Sequence, residues 1–118
     1  LNRVLPHLAG KIEGYSIRVP TVNVTAIDLS FVAQKTMTIG AINALFKQKS
    51  VNEYHEILSY CDEWLVSSDF NHSPYSLIFD ATETKVVGQQ AKVLAWYDNE
   101  RGYANRLLDL CMVLAKMR

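Results

Sequence analysis

The sequence has 118 residues, which is enough for one domain with a single hydrophobic core. Twelve basic side chains balance twelve acidic ones, and 49% of the residues are hydrophobic. This balance argues against a large basic surface for nucleic acid or for an anionic membrane. No apolar run reaches the roughly 20 residues that a membrane-spanning helix needs.

Two cysteines, Cys61 and Cys111, lie in apolar segments and outside any Cys-x-x-Cys motif. This placement predicts buried free thiols in a reducing compartment, because a single pair is a thin basis for a disulfide framework. No signal peptide is recognisable, so we expect a cytoplasmic protein. The chain starts with Leu1 rather than Met, and we therefore expect it to be part of a longer polypeptide or a trimmed form.

The first half of the chain is predicted to contain two strand segments and a helix. Residues 15–19 alternate apolar and polar side chains, as a half-buried strand does. Residues 22–33 alternate too, but the parity changes near Ala26, which predicts either a bulge or a strand with both faces partly covered. Thr38 is a suitable N-cap for a helix over 39–49, where apolar residues recur at helical spacing.

The second half is predicted to be mainly β-structure followed by a helix. Short strands are indicated at 56–61, 75–80 and 84–88, with a turn over 81–83. Residues 91–97 are apolar on both parities, which is typical of a central strand with both faces covered. A C-terminal helix follows, and its apolar face comprises Tyr103, Leu107, Cys111 and Leu114.

Neighbouring strands joined by short turns favour a mainly antiparallel sheet, and the two helical segments supply a layer on one of its faces. The predicted fold class is therefore α+β, in one unit that spans residues 1–118.

Most motifs with a defined chemistry are absent from the sequence. The five glycines form neither a G-x-G-x-x-G fingerprint nor a P-loop, so a dinucleotide-phosphate cradle is not present. There is no G-x-S-x-G nucleophile elbow. The histidines His7, His55 and His72 are far apart and lack the spacing of a joint metal site, so no metal ligands are predicted.

Arg18 is the first candidate ligand-binding residue. It lies near the end of the first predicted strand, just before Pro20 and Thr21. A guanidinium group can hold a phosphate through two parallel hydrogen bonds, whereas a structural ion pair is the more ordinary role of an arginine. The residues alone leave both roles open.

Asn99 is the second candidate, because it lies where the strand over 91–97 passes into the C-terminal helix. Asp98 suits the N-cap and Glu100 suits the first turn, where N–H groups lack intrahelical partners. Asn99 is then available to a ligand, and its carboxamide is complementary to another carboxamide such as that of nicotinamide. Tyr103 follows one turn later, near the same side of the helix. Pure capping remains the alternative for the whole segment.

Three sequence blocks carry a resemblance to one protein family. They are GKIEGYSIRVPTVNVTAIDLS, LVSSDFNHSPYSLIFDATET and VLAWYDNERGYANRLLDL. Together they resemble the second half of the catalytic domain of the glyceraldehyde-3-phosphate dehydrogenase family, in its order and at its spacing. The resemblance covers nearly the whole chain, and RVPT-x-NV together with WYDNE-x-GY makes it specific.

Within this family, YSIRVPTVNVTAIDLS and DFNHSPYS resemble the erythrose-4-phosphate dehydrogenase branch. Glyceraldehyde enzymes more often read FRVPTPNVSVVDL and carry a glycine in the loop after DFN. The resemblance thus implies oxidation of D-erythrose 4-phosphate to 4-phosphoerythronate, in pyridoxal phosphate biosynthesis. The alternatives are the same part of a phosphorylating, glycolytic glyceraldehyde-3-phosphate dehydrogenase, or a stand-alone, non-catalytic assembly module.

The resemblance also implies a mechanism and residue roles. In the family, a cysteine thiolate attacks the aldehyde, hydride passes to NAD, and water or inorganic phosphate resolves the thioester. Arg18 matches the arginine that binds the substrate phosphate. Asn99 matches the asparagine that holds the nicotinamide carboxamide, and Tyr103 matches a tyrosine near the ring. Arg101 departs from the family's usual Trp or Thr, at a position expected to face outward.

The family's nucleophilic cysteine, in an S-C-T-T-N motif, does not occur in this sequence, and neither Cys61 nor Cys111 matches it. Its partner histidine and the NAD-binding domain are expected upstream. We therefore expect the C-terminal fragment of a homotetrameric enzyme, without catalytic residues of its own and unable to oxidise an aldehyde alone. Because an excised half-domain exposes apolar surface, we also expect self-association.

Overall fold

The computed structural model describes residues 3–117 as a four-stranded sheet with two helices. The elements are β1 (Thr25–Val32), α1 (Ile39–Val51), β2 (Leu58–Cys61), β3 (Leu77–Val87), β4 (Gln90–Tyr97) and α2 (Asn99–Lys116). The strand order is β1-β4-β3-β2, in which β4 pairs antiparallel with β1 and β3, and β2 runs parallel to β3. The predicted α+β class with a mainly antiparallel sheet is confirmed.

β4 is central, as predicted, because strands pair with both of its edges. The hydrophobic core lies between α1 and one face of the sheet, where Ile42 and Val93 are buried. Phe46 of α1 stacks on Phe79 of β3 with 3.9 Å between the ring centroids. On the opposite face, the half-buried Trp96 stacks on Phe70. α1 begins at its predicted N-cap, since the Thr38 hydroxyl accepts a hydrogen bond from the N–H of Ala41 at 3.1 Å.

β3 is one strand of 11 residues, whereas the sequence predicted two strands and a turn over 81–83. Its register against β4 shifts midway, so regular pairing is lost there while the chain stays extended. Asn43 of α1 compensates: its amide nitrogen donates to the Ala81 carbonyl at 3.1 Å, and its oxygen accepts from the Thr84 hydroxyl at 2.7 Å. The turn prediction was wrong because these bonds come from a helix that is distant in sequence.

The predicted strand over 15–19 does not form. The segment belongs to no strand ladder within residues 3–117, and Tyr15, Ile17 and Val19 are all exposed. Alternation shows which side chains would share a face, but a strand also requires a hydrogen-bonded neighbour. No such neighbour for this segment is found in the described part of the chain.

The parity change near Ala26 does not produce a bulge, because β1 pairs with β4 in continuous register along its whole length. The backbone irregularity lies just upstream, at Val24, where φ is +71°. β1 is an edge strand whose side chains are exposed on both faces, apart from the half-buried Phe31. Both explanations offered by the sequence were therefore wrong.

α2 leaves most of its apolar side chains exposed, and Gly102 is its one buried residue. The predicted apolar face from Tyr103 to Leu114 lies on this helix but is not covered. Cys111 is exposed and Cys61 is half-buried, so both thiols are free as predicted while the predicted burial is wrong. Between residues 3 and 117, no helix combines the length and apolar content needed to cross a membrane.

Replacing Gly102 tests how closely α2 must approach the loop before β3. A Cβ at this position would lie 2.9 Å from the carbonyl oxygen of Tyr75, a backbone atom that cannot rotate away. We expect Gly102→Ala to lower the free energy of unfolding by about 1–3 kcal/mol, the usual cost of overpacking. Urea titration followed by circular dichroism measures the change.

Gly40→Ala is the matched control, because Gly40 also lies in the first turn of a helix. No atom outside that helix turn lies within 4 Å of the added Cβ. This substitution should raise the free energy of unfolding by roughly 0.4–1 kcal/mol, since alanine restricts the unfolded chain. Effects of the same sign for both variants would contradict a close contact at Gly102.

Candidate ligand-binding cleft

The register of the sheet brings three chain segments to one end of β4. Thr25 pairs with Tyr97, so the segment before β1 lies beside the residues that follow β4. Ile78 pairs with Trp96, so the segment before β3 reaches the same place from the other side. Asp98, between β4 and α2, is flanked by both segments.

The carboxylate of Asp98 joins these segments, and its side chain is only 1% exposed. One oxygen, Oδ1, accepts from the N–H of Arg101 at 2.9 Å, which caps α2 as the sequence predicted. The other, Oδ2, accepts from the N–H of His72 at 2.9 Å and from Nδ2 of Asn23 at 2.7 Å. We refer to Asp98, Asn23, His72 and Arg101 as the Asp98 cluster.

Hydrogen bonding within the cluster lowers the pKa of Asp98. The N–H of Arg101 contributes most, and the N–H of His72 and the amide of Asn23 add to it, while burial acts in the opposite direction. Because the donors favour the charged form, the buried carboxylate stays ionised at neutral pH.

Two residues at the cluster have a positive φ that side-chain-bearing residues rarely adopt. Val24 has φ +71° and His72 has φ +61°. This conformation is a true outlier for a β-branched residue, and such strain costs about 1–3 kcal/mol. Strained residues persist where the surrounding contacts determine the path of the chain. Here the neighbouring Asn23 and His72 itself are both held by Asp98.

A cleft of about 810 Å³ opens between residues 15–28 and the start of α2. Arg18 lies on the first wall, and Asn99 and Glu100 lie on the second. The structure thus brings together the two principal candidate ligand-binding residues that the sequence singled out. The volume is within the range of small-molecule sites.

Arg18 is exposed, and no carboxylate among residues 3–117 forms an ion pair with its guanidinium group. The structural ion pair that the sequence left open is therefore not found in the described part of the chain. The five donors of the guanidinium group remain available to an anionic ligand.

Asn99 is the first residue of α2 and is exposed, while Asp98 provides the side-chain cap and Glu100 occupies the first turn. The predicted capping by Asp98 is thus confirmed, and the ligand-binding role of Asn99 stays a prediction. Tyr103 lies outside the cleft lining and is 66% exposed, one turn further along α2.

Sequence reasoning missed Asn23 and His72 as members of the cluster. Asn23 lies within RVPT-x-NV, one of the two patterns that carry most of the family resemblance, and that position was the signal available. His72 contributes a backbone N–H, and a backbone donor leaves no mark in the pattern of side chains.

Residues 1–99 match the family model described as glyceraldehyde 3-phosphate dehydrogenase, C-terminal domain. The chain belongs to the glyceraldehyde-3-phosphate dehydrogenase family. Two relatives from Cupriavidus necator strain H16 are named glyceraldehyde-3-phosphate dehydrogenase, one chromosomal and one plasmid. Each is 50% identical to this chain over 115 residues, which is 98% of the chain and 34% of the relative.

The predicted family is thereby confirmed, and the chain spans about a third of the length of the curated relatives it matches. Both relatives are named for glyceraldehyde 3-phosphate, whereas short segments of the sequence favoured the erythrose-4-phosphate branch of the glyceraldehyde-3-phosphate dehydrogenase family.

The lowered pKa of Asp98 predicts an acid-sensitive contribution to stability. Since the folded pKa lies below the unfolded one, this contribution is complete above the ordinary aspartate pKa of about 4. It is lost as the pH falls through the lower folded value. We expect Asp98→Asn to reduce the free energy of unfolding at neutral pH by roughly 1–3 kcal/mol, because one donor loses its acceptor. Urea titrations at a series of pH values measure both effects.

Asp62→Asn is the control, because Asp62 is exposed and its ion pair with Lys47 spans 3.6 Å. Such surface pairs contribute little, so this variant should follow the pH dependence of the unsubstituted chain. If Asp98→Asn also kept that pH dependence, the ionised carboxylate would not stabilise the cluster.

Proposed function

We propose that this chain forms the C-terminal part of the catalytic domain of an NAD-dependent enzyme that oxidises a phosphorylated aldehyde. The observation that carries the proposal is the shared cleft of Arg18 and Asn99, which come from distant parts of the sequence. A phosphate-binding guanidinium on one wall and a nicotinamide-binding carboxamide on the other would let substrate and cofactor meet in this cleft.

The donor set at Asn99 fits NAD. Its exposed carboxamide offers one acceptor and two donors, which complement the carboxamide of nicotinamide. NAD, when bound, supplies the hydride acceptor of the oxidation. The role of Asn99 is to orient the ring, and Tyr103, on the exposed surface of α2, adds a supporting contact.

In this proposal the chain contributes binding groups, and neither of its cysteines is the nucleophile. Cys61 lies outside the cleft lining and so does Cys111. The nucleophilic cysteine, its histidine partner and the NAD-binding domain belong, in this proposal, to the remainder of a longer polypeptide. The relatives, of which the chain matches 34%, are long enough to contain these parts.

Glyceraldehyde 3-phosphate is the substrate that we propose first. Two relatives named for it are 50% identical over 98% of this chain, which outweighs the likeness of a few short segments to the erythrose-4-phosphate branch. The proposed enzyme is a cytoplasmic homotetramer. The exposed apolar side chains of α2 and β1 support assembly with further chains or domains.

Erythrose 4-phosphate is the second candidate because of the loop that contains His72. Glyceraldehyde enzymes more often carry a glycine in this loop, after DFN. In this chain the position after DFN is His72 at φ +61°, a conformation that glycine adopts without strain. His72 therefore holds, beside Asp98 and with a larger side chain, a conformation that suits glycine.

A hybrid enzyme tests the proposed function. In this hybrid, residues 1–118 replace the matching segment of the chromosomal C. necator relative, which supplies the rest of the polypeptide. We expect the hybrid to form NADH from glyceraldehyde 3-phosphate, measured by absorbance. Its kcat/KM should lie within about tenfold of the parent value, because the parent supplies the reacting groups and residues 1–118 supply the proposed binding groups.

The parent enzyme is the control for substrate choice. For each protein, kcat/KM for erythrose 4-phosphate is divided by kcat/KM for glyceraldehyde 3-phosphate. A much higher ratio in the hybrid than in the parent would favour the second candidate. A well-folded hybrid that forms NADH from neither aldehyde would refute the proposed function.

The phosphate-binding role of Arg18 predicts a selective kinetic defect. In the hybrid, Arg18→Ala should lower kcat/KM for the phosphorylated aldehyde by roughly 10²-fold, because a charge-assisted, bidentate contact is lost. Arg18→Lys should retain part of the kcat/KM, since lysine keeps the positive charge but cannot donate two parallel hydrogen bonds to the phosphate. Unphosphorylated glyceraldehyde should be oxidised at nearly the same rate by all three proteins.

Lys11→Ala removes a positive charge from the same exposed segment, outside the cleft lining, and serves as the control. An equal loss with Lys11→Ala would indicate a general electrostatic effect in place of a specific phosphate site.

A further inference from the structure

Asn23 links the two walls of the cleft through a single amide group. Its Nδ2 donates to Oδ2 of Asp98 at 2.7 Å and to Oδ1 of Asn71 at 2.7 Å. Both amide hydrogens are therefore used, one on a buried carboxylate and one on the loop before β3. A hydrogen bond to an ionised acceptor is stronger than one between neutral groups.

In the described part of the chain, no strand pairs with the segment just upstream of Asn23. Residues 12–19 have no regular secondary structure, and all of them are exposed. The nearest backbone hydrogen bond is local, from the N–H of Thr21 to the carbonyl of Val19 at 2.8 Å. Arg18 lies on this segment, so its position depends on where the chain is anchored.

The backbone on the other side of Asn23 points to the same anchor. Val24 has φ +71°, which local preferences oppose, and regular pairing with β4 starts only at Thr25. Val24 thus lies between the side-chain bonds of Asn23 and the first residue pair of β1 and β4. Its strain indicates that tertiary contacts determine the backbone path at this point.

The acceptor of Asn23 also sets the position of Asn99. Asp98 caps α2 through its bond to the N–H of Arg101, and Asn99 is the next residue after Asp98. One carboxylate therefore contacts both the segment that leads from Arg18 and the helix end that carries Asn99.

We propose that Asn23 is a positioning residue, whose amide bridge to Asp98 and Asn71 holds the Arg18 segment at a fixed place relative to the N-terminus of α2. The bridge itself is a property of this chain, and its effect on substrate binding rests on the proposed function. Asn23 does not act on the reacting atoms; it acts through Arg18.

Limited proteolysis with trypsin tests the bridge without reference to activity. In the hybrid, Asn23→Ala should make cleavage after Arg18 at least about tenfold faster, because the exposed segment loses its anchor and enters the protease site more often. Asn23→Asp keeps the shape but replaces both donors by acceptors, so it should have the same effect at neutral pH. Asn52→Ala is the matched control, since Asn52 Nδ2 bonds to the Gln48 carbonyl at 2.8 Å on α1, away from the cleft.

Kinetics with two aldehydes separates positioning from a general loss of structure. Asn23→Ala should raise KM for the phosphorylated aldehyde by about tenfold and leave kcat/KM for unphosphorylated glyceraldehyde within about twofold. The double variant Arg18→Ala/Asn23→Ala should be no worse than Arg18→Ala alone, because Asn23 acts through Arg18.

The two measurements separate the inference from the proposed function. An unchanged rate of cleavage after Arg18 in Asn23→Ala would overturn the bridge. Equal kinetic losses with both aldehydes, or additive losses in the double variant, would overturn the action through Arg18. If the hybrid with Asn23 intact oxidised no aldehyde, the proposed function would fail, and faster cleavage after Arg18 in Asn23→Ala would still support the bridge.

Discussion

The rest of this site depends on the hydrogen bonds that the buried carboxylate of Asp98 accepts. This carboxylate lies at the end of the central strand, where the lead-in segments of both neighbouring strands arrive. Its two oxygens accept from three separate parts of the chain: the start of α2, the loop at His72 and the side chain of Asn23. A buried charge requires such donors, and the donors in turn fix the segments that carry them.

Two different kinds of interaction thus hold the scaffold and the cleft. The scaffold depends on apolar packing between α1 and the sheet, in which Phe46 and Phe79 stack and Val93 is buried. None of these residues lines the cleft. The cleft depends on polar contacts around Asp98. These contacts hold the chain in place although Val24 and His72 have positive φ angles. Apolar packing is non-directional, so hydrogen bonds set the finer geometry of the cleft walls.

The exposed surfaces of the chain support the proposal that it forms part of a larger enzyme. β1 is an edge strand with exposed side chains, α2 has one buried residue, and the Arg18 segment has no strand partner in the described part of the chain. The chain matches 34% of each Cupriavidus relative, so these surfaces have further polypeptide to contact in proteins of that length.

The sequence by itself determined the features that depend on local spacing: the N-caps at Thr38 and Asp98, the central strand β4, the α+β class, and Arg18 and Asn99 as the residues to examine. It failed at 15–19 and 81–83, where the outcome depended on a missing strand neighbour and on the amide of Asn43. Only the tertiary structure showed that Arg18 and Asn99 share a cleft and that Asn23 reaches Asp98. The physical reason is that caps and periodicity are properties of residues close together in the chain. The tertiary contacts, in contrast, follow from the register of strands that are far apart in the chain.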